Sequence, residues 1–155
     1  MRALTIRQPW ASLIALGIKH YETRSWSTNV RGRIAIHAGA TPPHRVGYQG
    51  MCGPYLIPRT EDGLLIMRGG VRIAEAALGC VLATAELVDC HLIGAGPLGR
   101  FDLTQQEYQL GDWTDGRFAW EIANVVPLAE PIPAKGKQGW WEWTPPSVEP
   151  LGVTE

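Results

Sequence analysis

The sequence predicts an α+β domain built on a small mixed β-barrel of five or six strands, with two or three short helices. Three observations carry that prediction. Apolar residues alternate over short runs. Clusters of Gly, Pro, Asn and Asp punctuate those runs. Strands and helices do not alternate in the regular way that a parallel βαβ sheet requires.

The elements follow in order. Residues 3–7 form a short β-prone run. In QPWASLIALG, Pro9 suits the first helical position, where a missing N–H has no intrahelical partner. Trp10, Leu13, Ile14 and Gly17 fall at i, i+3, i+4 and i+7, which gives one apolar helical face, and Gly17 fits the helix stop. Residues 20–26 alternate as a strand, with His20, Glu22, Arg24 and Trp26 on one face. A turn over 29–32 leads to a strand over 32–39. There Ile34 and Ile36 share one face, and Arg33, Ala35 and His37 the other.

Residues 40–70 are rich in Gly and Pro and read as a long excursion with little regular structure. Residues 71–77 are expected to form a short helix. An apolar strand follows over 79–90. Residues 104–110 read as a helix with Thr104 as N-cap and Glu107 three places on, the capping-box pattern. GDWTDG is a turn cluster, and FAWEIANVVPL is a strand with Phe118, Trp120 and Ile122 on one face. Pro127, Pro131 and Pro133 push the chain beyond it toward a sheet edge. The organisation expected is one domain over 1–144, with the excursion at 40–70 inside it, and a C-terminal tail over 145–155.

Composition narrows the function classes. The chain has 155 residues, 45% hydrophobic and 19% charged, an ordinary balance for one globular domain. That length buries a core without disulfide or metal staples. The three cysteines are odd in number and form no C-x-x-C, so neither a disulfide framework nor a zinc knuckle is expected. Cys80 and Cys90 read as buried or half-buried thiols. No cofactor or metal is expected. No apolar run approaches bilayer length, and Gln8-Pro9 interrupts the place of a signal peptide's apolar stretch. The expectation is a soluble, cytoplasmic protein with no membrane partner.

The net charge of −1 hides an asymmetry: residues 1–50 carry +6 and the rest −7. A basic N-terminal third predicts a local anion-facing surface, unless acids of the second half neutralise it in the fold.

The richest chemistry lies in Gly17 to Arg24, G-I-K-H-Y-E-T-R. Lys19 stands at a helix end, and Glu22 and Arg24 point the same way on the next strand. Arg24 can clamp a phosphate or a carbonyl edge. Glu22 can accept from a base's amino or ring N–H, or act as a general base. Lys19 can neutralise a phosphate, or serve as base or nucleophile when buried. A structural Glu22–Arg24 pair with Lys19 exposed fits the same spacing. Trp26, on the same face, is the candidate base-stacking platform. Arg31 and Arg33 are candidate phosphate contacts, or ordinary surface arginines. His37 fits a general acid or base, but a satisfied histidine inside the barrel is the favoured reading. Of the seven tryptophans, Trp10 and Trp120 are expected in the core, and at least two of Trp140, Trp141 and Trp143 are expected to pack. The P-loop, H-E-x-x-H, G-x-S-x-G and G-x-G-x-x-G motifs are all absent, and Ser12 has no evident His–Asp partnership, which disfavours a serine hydrolase.

These residues resemble a known family. LTIRQPWASLIALGIKHYETRSW followed by RGRIAIHA is similar to the ASCH (activating-signal-cointegrator homology) domain, whose signature G-x-K-x-x-E-x-R matches at Gly17, Lys19, Glu22 and Arg24. The resemblance continues in LGCV at 78–81, GRFAWE at 116–121 and PIPAKGKQGWW at 131–141. It implies a PUA-like β-barrel whose cleft is lined by the signature, and an RNA-related role. The expected partner is RNA, another single-stranded nucleic acid or a nucleobase-sized small molecule. Some small members hydrolyse N4-acetylcytidine through a Lys and, three residues on, a Thr nucleophile. Here Lys19 is kept and Glu22 stands in the place of that Thr, so the chain departs from the amidohydrolase pattern. Thr23 and Ser25 are nearby hydroxyls, but strand alternation puts them on the other face. Another member acts as a ribonuclease. The readings carried forward are a binding domain with Lys19, Glu22, Arg24, Trp26, Arg31, Arg33 and His37 as ligand contacts; a metal-independent hydrolase with Lys19 and Glu22 as the working pair; and a protein-interaction module.

Overall fold

The structure is a computed structural model. It describes residues 1–42, 51–57, 59–60, 63–94 and 103–147. Part of the excursion, 43–50, and most of the expected tail, 148–155, lie outside the described residues.

The chain opens with β1 (Arg2–Ile6), helix α1 (Trp10–Ala15), β2 (Tyr21–Arg24) and β3 (Gly32–Ala38). Short strands follow: β4 (Met51–Cys52), β5 (Tyr55–Leu56), β6 (Arg59–Thr60), β7 (Gly63–Arg68) and β8 (Val71–Glu75). Then come the long β9 (Cys80–Leu92), helix α2 (Gln105–Gln109), the long β10 (Phe118–Pro133) and β11 (Trp140–Glu142). Six strands form the main sheet in the order β11-β1-β3-β9-β10-β2. Only β1 and β3 run parallel in it. Register shifts after Ile36 on β3 and after Glu121, Ala123 and Pro127 on β10 add local twist, and the sheet curls into a half-barrel. The α+β fold expected from the sequence is the fold observed.

The alternation read from the sequence explains the core. Leu4 and Ile6, Ile34 and Ile36, Ala83, Ala85 and Leu87, and Trp120 and Ile122 line the inside of the curl. Helix α1 closes it with Ala11 and Ile14. Gln8 caps that helix, its Oε1 accepting the Ser12 N–H at 3.0 Å while its Nε2 donates to Ser12 Oγ at 2.6 Å. Ser12 is therefore a buried residue of the first turn, held by Gln8. Trp120 is fully buried, and removing a side chain of that size would cost about 3–5 kcal/mol. The other face of β3 is covered too. Ala35 packs with Val81, Trp141 and Trp143, and His37 meets Trp141 edge-on. Cys80 is buried and Cys90 half-buried. The far half of β10 pairs with β9 only, since β2 pairs with residues 118–121, so Pro127, Pro131 and Pro133 lie along an open edge.

Two expectations are corrected. Residues 71–77 do not form a helix: 71–75 are β8, paired antiparallel with β7. Gly69 and Gly70, both at positive φ, make the two-residue hairpin turn that joins them, and β-branched Val71 and Ile73 suit a strand. The described part of the 40–70 excursion is also more regular than expected, contributing β4 to β7 of a second, five-stranded sheet. Tyr55 and Ile66 of that sheet, with Ile57 just after β5, pack on Leu13 of α1 and on Leu110, just after α2. Among the described residues no helix is long and apolar enough to cross a membrane.

Candidate functional site

Gly17, at φ 71°, ends α1, and the N–H groups of Ile18 and Lys19 both return to the Leu13 carbonyl. The chain then enters β2 under the control of α2. The buried carboxylate of Glu107 accepts the backbone N–H groups of His20 and Tyr21 at 2.9–3.1 Å. The Thr104 hydroxyl caps α2 by accepting the Glu107 N–H. The capping box is thus half formed, because Glu107 turns away from Thr104 to bind β2 instead. Lys19 is 1% exposed, and its Nζ donates to the carbonyl of Leu110 at 2.9 Å, a helix-end carbonyl with no intrahelical donor. The exposed Lys19 of the structural alternative is not what the fold gives: α2 and the turn after it close over the ammonium.

A cleft of about 930 Å³ opens here between β2, the turn after α2 and residues 137–139. Lys19, Glu22, Arg24 and Trp26 all line it. Sequence reasoning missed Arg117, which lines it beside them. The signal lies in pairing: Phe118 stands opposite Arg24 in the β10–β2 ladder, so Arg117 follows directly beyond. Arg7 and Lys137 also border the cleft, and among the described residues its cations outnumber its acids, Glu22 and Asp112, by five to two.

The two central arginines are held alike. Arg24 donates through Nη2 to the Thr5 carbonyl at 2.8 Å, and Arg117 through Nη2 to the Thr23 carbonyl at 3.1 Å. Arg24 Nε lies 2.9 Å from Glu22 Oε1, and Arg117 Nε 3.3 Å from Asp112 Oδ2. Neither Nε–H makes a hydrogen bond, so these are ion contacts with the N–H aimed off the oxygen. Nη1 of each guanidinium has no partner among the described residues. Hydrogen bonds from the Thr114 hydroxyl and N–H, with a smaller push from Arg117, hold the Asp112 carboxyl below the usual carboxylate range. Glu22 is 9% exposed and meets only Arg24 among the described residues.

Trp26 rests edge-to-face on Trp120 (centroids 4.6 Å, 89°), which stacks on Trp140 (5.5 Å, 12°). Trp140 is the half-buried member of the C-terminal tryptophans, whereas Trp141 and Trp143 pack under the sheet. Thr23 also borders the cleft, but its Oγ1 accepts the Asp112 N–H at 3.0 Å.

The remaining candidates lie elsewhere. Arg31 and Arg33 line a separate groove. Arg31 binds Asp89 at 2.9 Å and the Thr28 and Val30 carbonyls, and Arg33 binds Thr84 Oγ1 and the Asn124 carbonyl. His37 lines neither cavity. It is 1% exposed, with Nε2 2.9 Å from the Ala134 carbonyl and Nδ1 3.1 Å from Thr5 Oγ1. A carbonyl only accepts, so Nε2 carries the proton and Nδ1 accepts from the Thr5 hydroxyl, which in turn accepts from Trp141 Nε1. His37 is the satisfied interior histidine, set behind the cleft rather than in it.

The ASCH domain family profile matches residues 4–132. Over 140 residues the chain is 29% identical to a protein named Activating signal cointegrator 1 from Homo sapiens, and equally to the one of the same name from Mus musculus. The match covers 90% of this chain and 22% of each relative, so the chain spans about a fifth of their length.

Proposed function

The chain belongs to the ASCH domain family, and from that premise we propose that its cleft binds an unpaired base of RNA, or a ligand of nucleobase size. The observation that carries this reading is the pair of anchored guanidiniums, Arg24 and Arg117, each leaving Nη1 unpartnered among the described residues in one cleft. Beside them, Glu22 supplies the complementary acceptor. A base edge presents both kinds of group: ring and carbonyl acceptors for Nη1, amino and imino donors for the carboxylate. Trp26 offers a ring face at the rim, and Arg7 and Lys137 draw in the phosphate backbone. A base in a duplex has its edge occupied by pairing, so the ligand is single-stranded.

The test is fluorescence anisotropy with a labelled single-stranded RNA and the same RNA annealed to its complement. Tight, salt-sensitive binding of the single strand and weak binding of the duplex support the reading. Equal binding of both forms would reduce the cleft to a general anion surface, and no binding of either would move the case to protein interaction.

A second reading, metal-independent hydrolysis of RNA or of a modified nucleoside, is favoured by one observation. Buried Lys19 and the Glu22 carboxylate share the cleft. In that reading Lys19 and Glu22 handle the protons of hydrolysis. Turnover of N4-acetylcytidine or of RNA in EDTA, lost in Lys19→Ala, would establish it; product formation at the full rate in that variant would exclude it.

A further inference from the structure

Trp26 lines two cavities. The second, of about 610 Å³, is bordered by Arg2, Arg31, Arg33, Asn29 and Trp140. Its chemistry differs from that of the cleft. Three guanidiniums line it and, among the described residues, no carboxylate does. Asp89 bears on Arg31 at 2.9 Å, whereas Arg2 and Arg33 close no ion pair among the described residues, with Glu142 and Glu86 opposite them across the ladder but outside the groove. The Arg2 guanidinium has no partner among the described residues.

We infer that this groove seats the phosphodiester next to the base held in the cleft, so that the smallest complete ligand is a dinucleotide step passing Trp26. The inference rests on the reading of the cleft as a base site. The cleft mixes cations with carboxylates, as a base edge requires, whereas the groove sets guanidiniums among neutral side chains with no carboxylate among the described residues, as a phosphate requires. Arg33 is preset for that contact, because bonds to Thr84 Oγ1 at 2.6 Å and to the Asn124 carbonyl at 3.1 Å hold its guanidinium. A donor already fixed loses less entropy when it binds. Trp26 is braced between the two compartments by Trp120, and its indole N–H has no partner among the described residues. That N–H is a further donor at the boundary. Trp140 Nε1 and Trp120 Nε1, by contrast, are engaged by Thr28 Oγ1 and the Trp26 carbonyl.

The test is calorimetric titration of the full chain with the ribonucleosides, and then with RNA dinucleoside monophosphates, which add one phosphodiester. The best dinucleoside monophosphate is expected to bind about 10-fold more tightly than the best nucleoside at low salt, the gain of one charge-assisted contact. The double variant Arg2→Gln, Arg33→Gln removes that gain and leaves nucleoside affinity within about twofold, since neither residue lines the cleft. Arg24→Ala weakens both ligands. If nucleosides bind and the added phosphodiester brings no gain, this inference fails and the base site stands. If inorganic phosphate supplied beside the nucleoside binds as well as the joined phosphate, the groove is a free-anion site and the inference is overturned. If neither nucleosides nor dinucleoside monophosphates bind, the base site fails and takes the groove with it.

Discussion

Arg24 and Arg117 are matched: each donates Nη2 to a backbone carbonyl, of Thr5 and of Thr23, and each keeps its Nε beside a carboxylate without a hydrogen bond to it. A guanidinium anchored at one end presents its other end in a fixed direction, which is how a planar fork recognises a ligand edge. Arg24→Ala and Arg117→Ala are each expected to weaken single-stranded RNA binding by about 10–100-fold, the worth of one charge-assisted hydrogen bond. Arg24→Lys keeps the charge and loses the fork, so it should recover only a small part. Full recovery in the anisotropy assay would mean that charge alone matters.

Glu107 fixes the start of β2 from a distance in sequence. Glu107→Ala strands the N–H groups of His20 and Tyr21, and each unsatisfied donor costs about 1–3 kcal/mol. Glu107→Gln keeps one acceptor oxygen and should lose less. Urea denaturation of the two variants against the parent measures the difference; equal stability of all three would contradict the role assigned to Glu107.

His37 makes stability depend on pH. Burial pushes its pKa below the ordinary 6.5, and the hydrogen bond to the Ala134 carbonyl opposes that less strongly. The neutral ring is therefore favoured in the folded state. As pH falls below 6.5 the unfolded chain takes up the proton first, so stability is lost until the folded ring protonates as well. His37→Gln should flatten this part of the profile. Nuclear magnetic resonance titration of the ring checks the premise directly, and a midpoint at or above 6.5 would contradict it.

Gly136 permits the loop to lie against His37. A Cβ there would stand 2.7 Å from His37 Nδ1 and from Thr5 Oγ1, and closer still to His37 Cε1. Gly136→Ala should cost about 1–3 kcal/mol through overpacking. It should also weaken RNA binding, because Lys137, Gln138 and Gly139 on the same loop wall the cleft. Unchanged melting and unchanged affinity would show that the loop has room to move.

What could be read from the sequence follows from physical range. The helix with its Gly17 stop, the alternation of β3, the apolar run of β9, and the shared face of Glu22 and Arg24 are local patterns, and the fold keeps them. The β7–β8 hairpin was also written locally, in Gly69-Gly70, but the Pro- and Gly-rich neighbourhood obscured it. Arg117 and the burial of Lys19 depend on strand pairing and on α2 docking over β2, contacts between residues nearly a hundred positions apart. Periodicity carries no record of such contacts. Strand alternation correctly put His37 on the Arg33 face, but the layer of Trp141 and Trp143 that covers that face comes from the far end of the chain.

The most direct test of the central claim is a tryptophan-fluorescence titration with short single-stranded RNA, comparing the parent chain with Arg24→Ala at low and at physiological salt. The expected result is a saturable quench in the parent, as a base stacks on Trp26, weakened by salt and shifted to about 10–100-fold higher RNA concentration in Arg24→Ala. Binding that is as tight in Arg24→Ala as in the parent, or the absence of any quench, would contradict it.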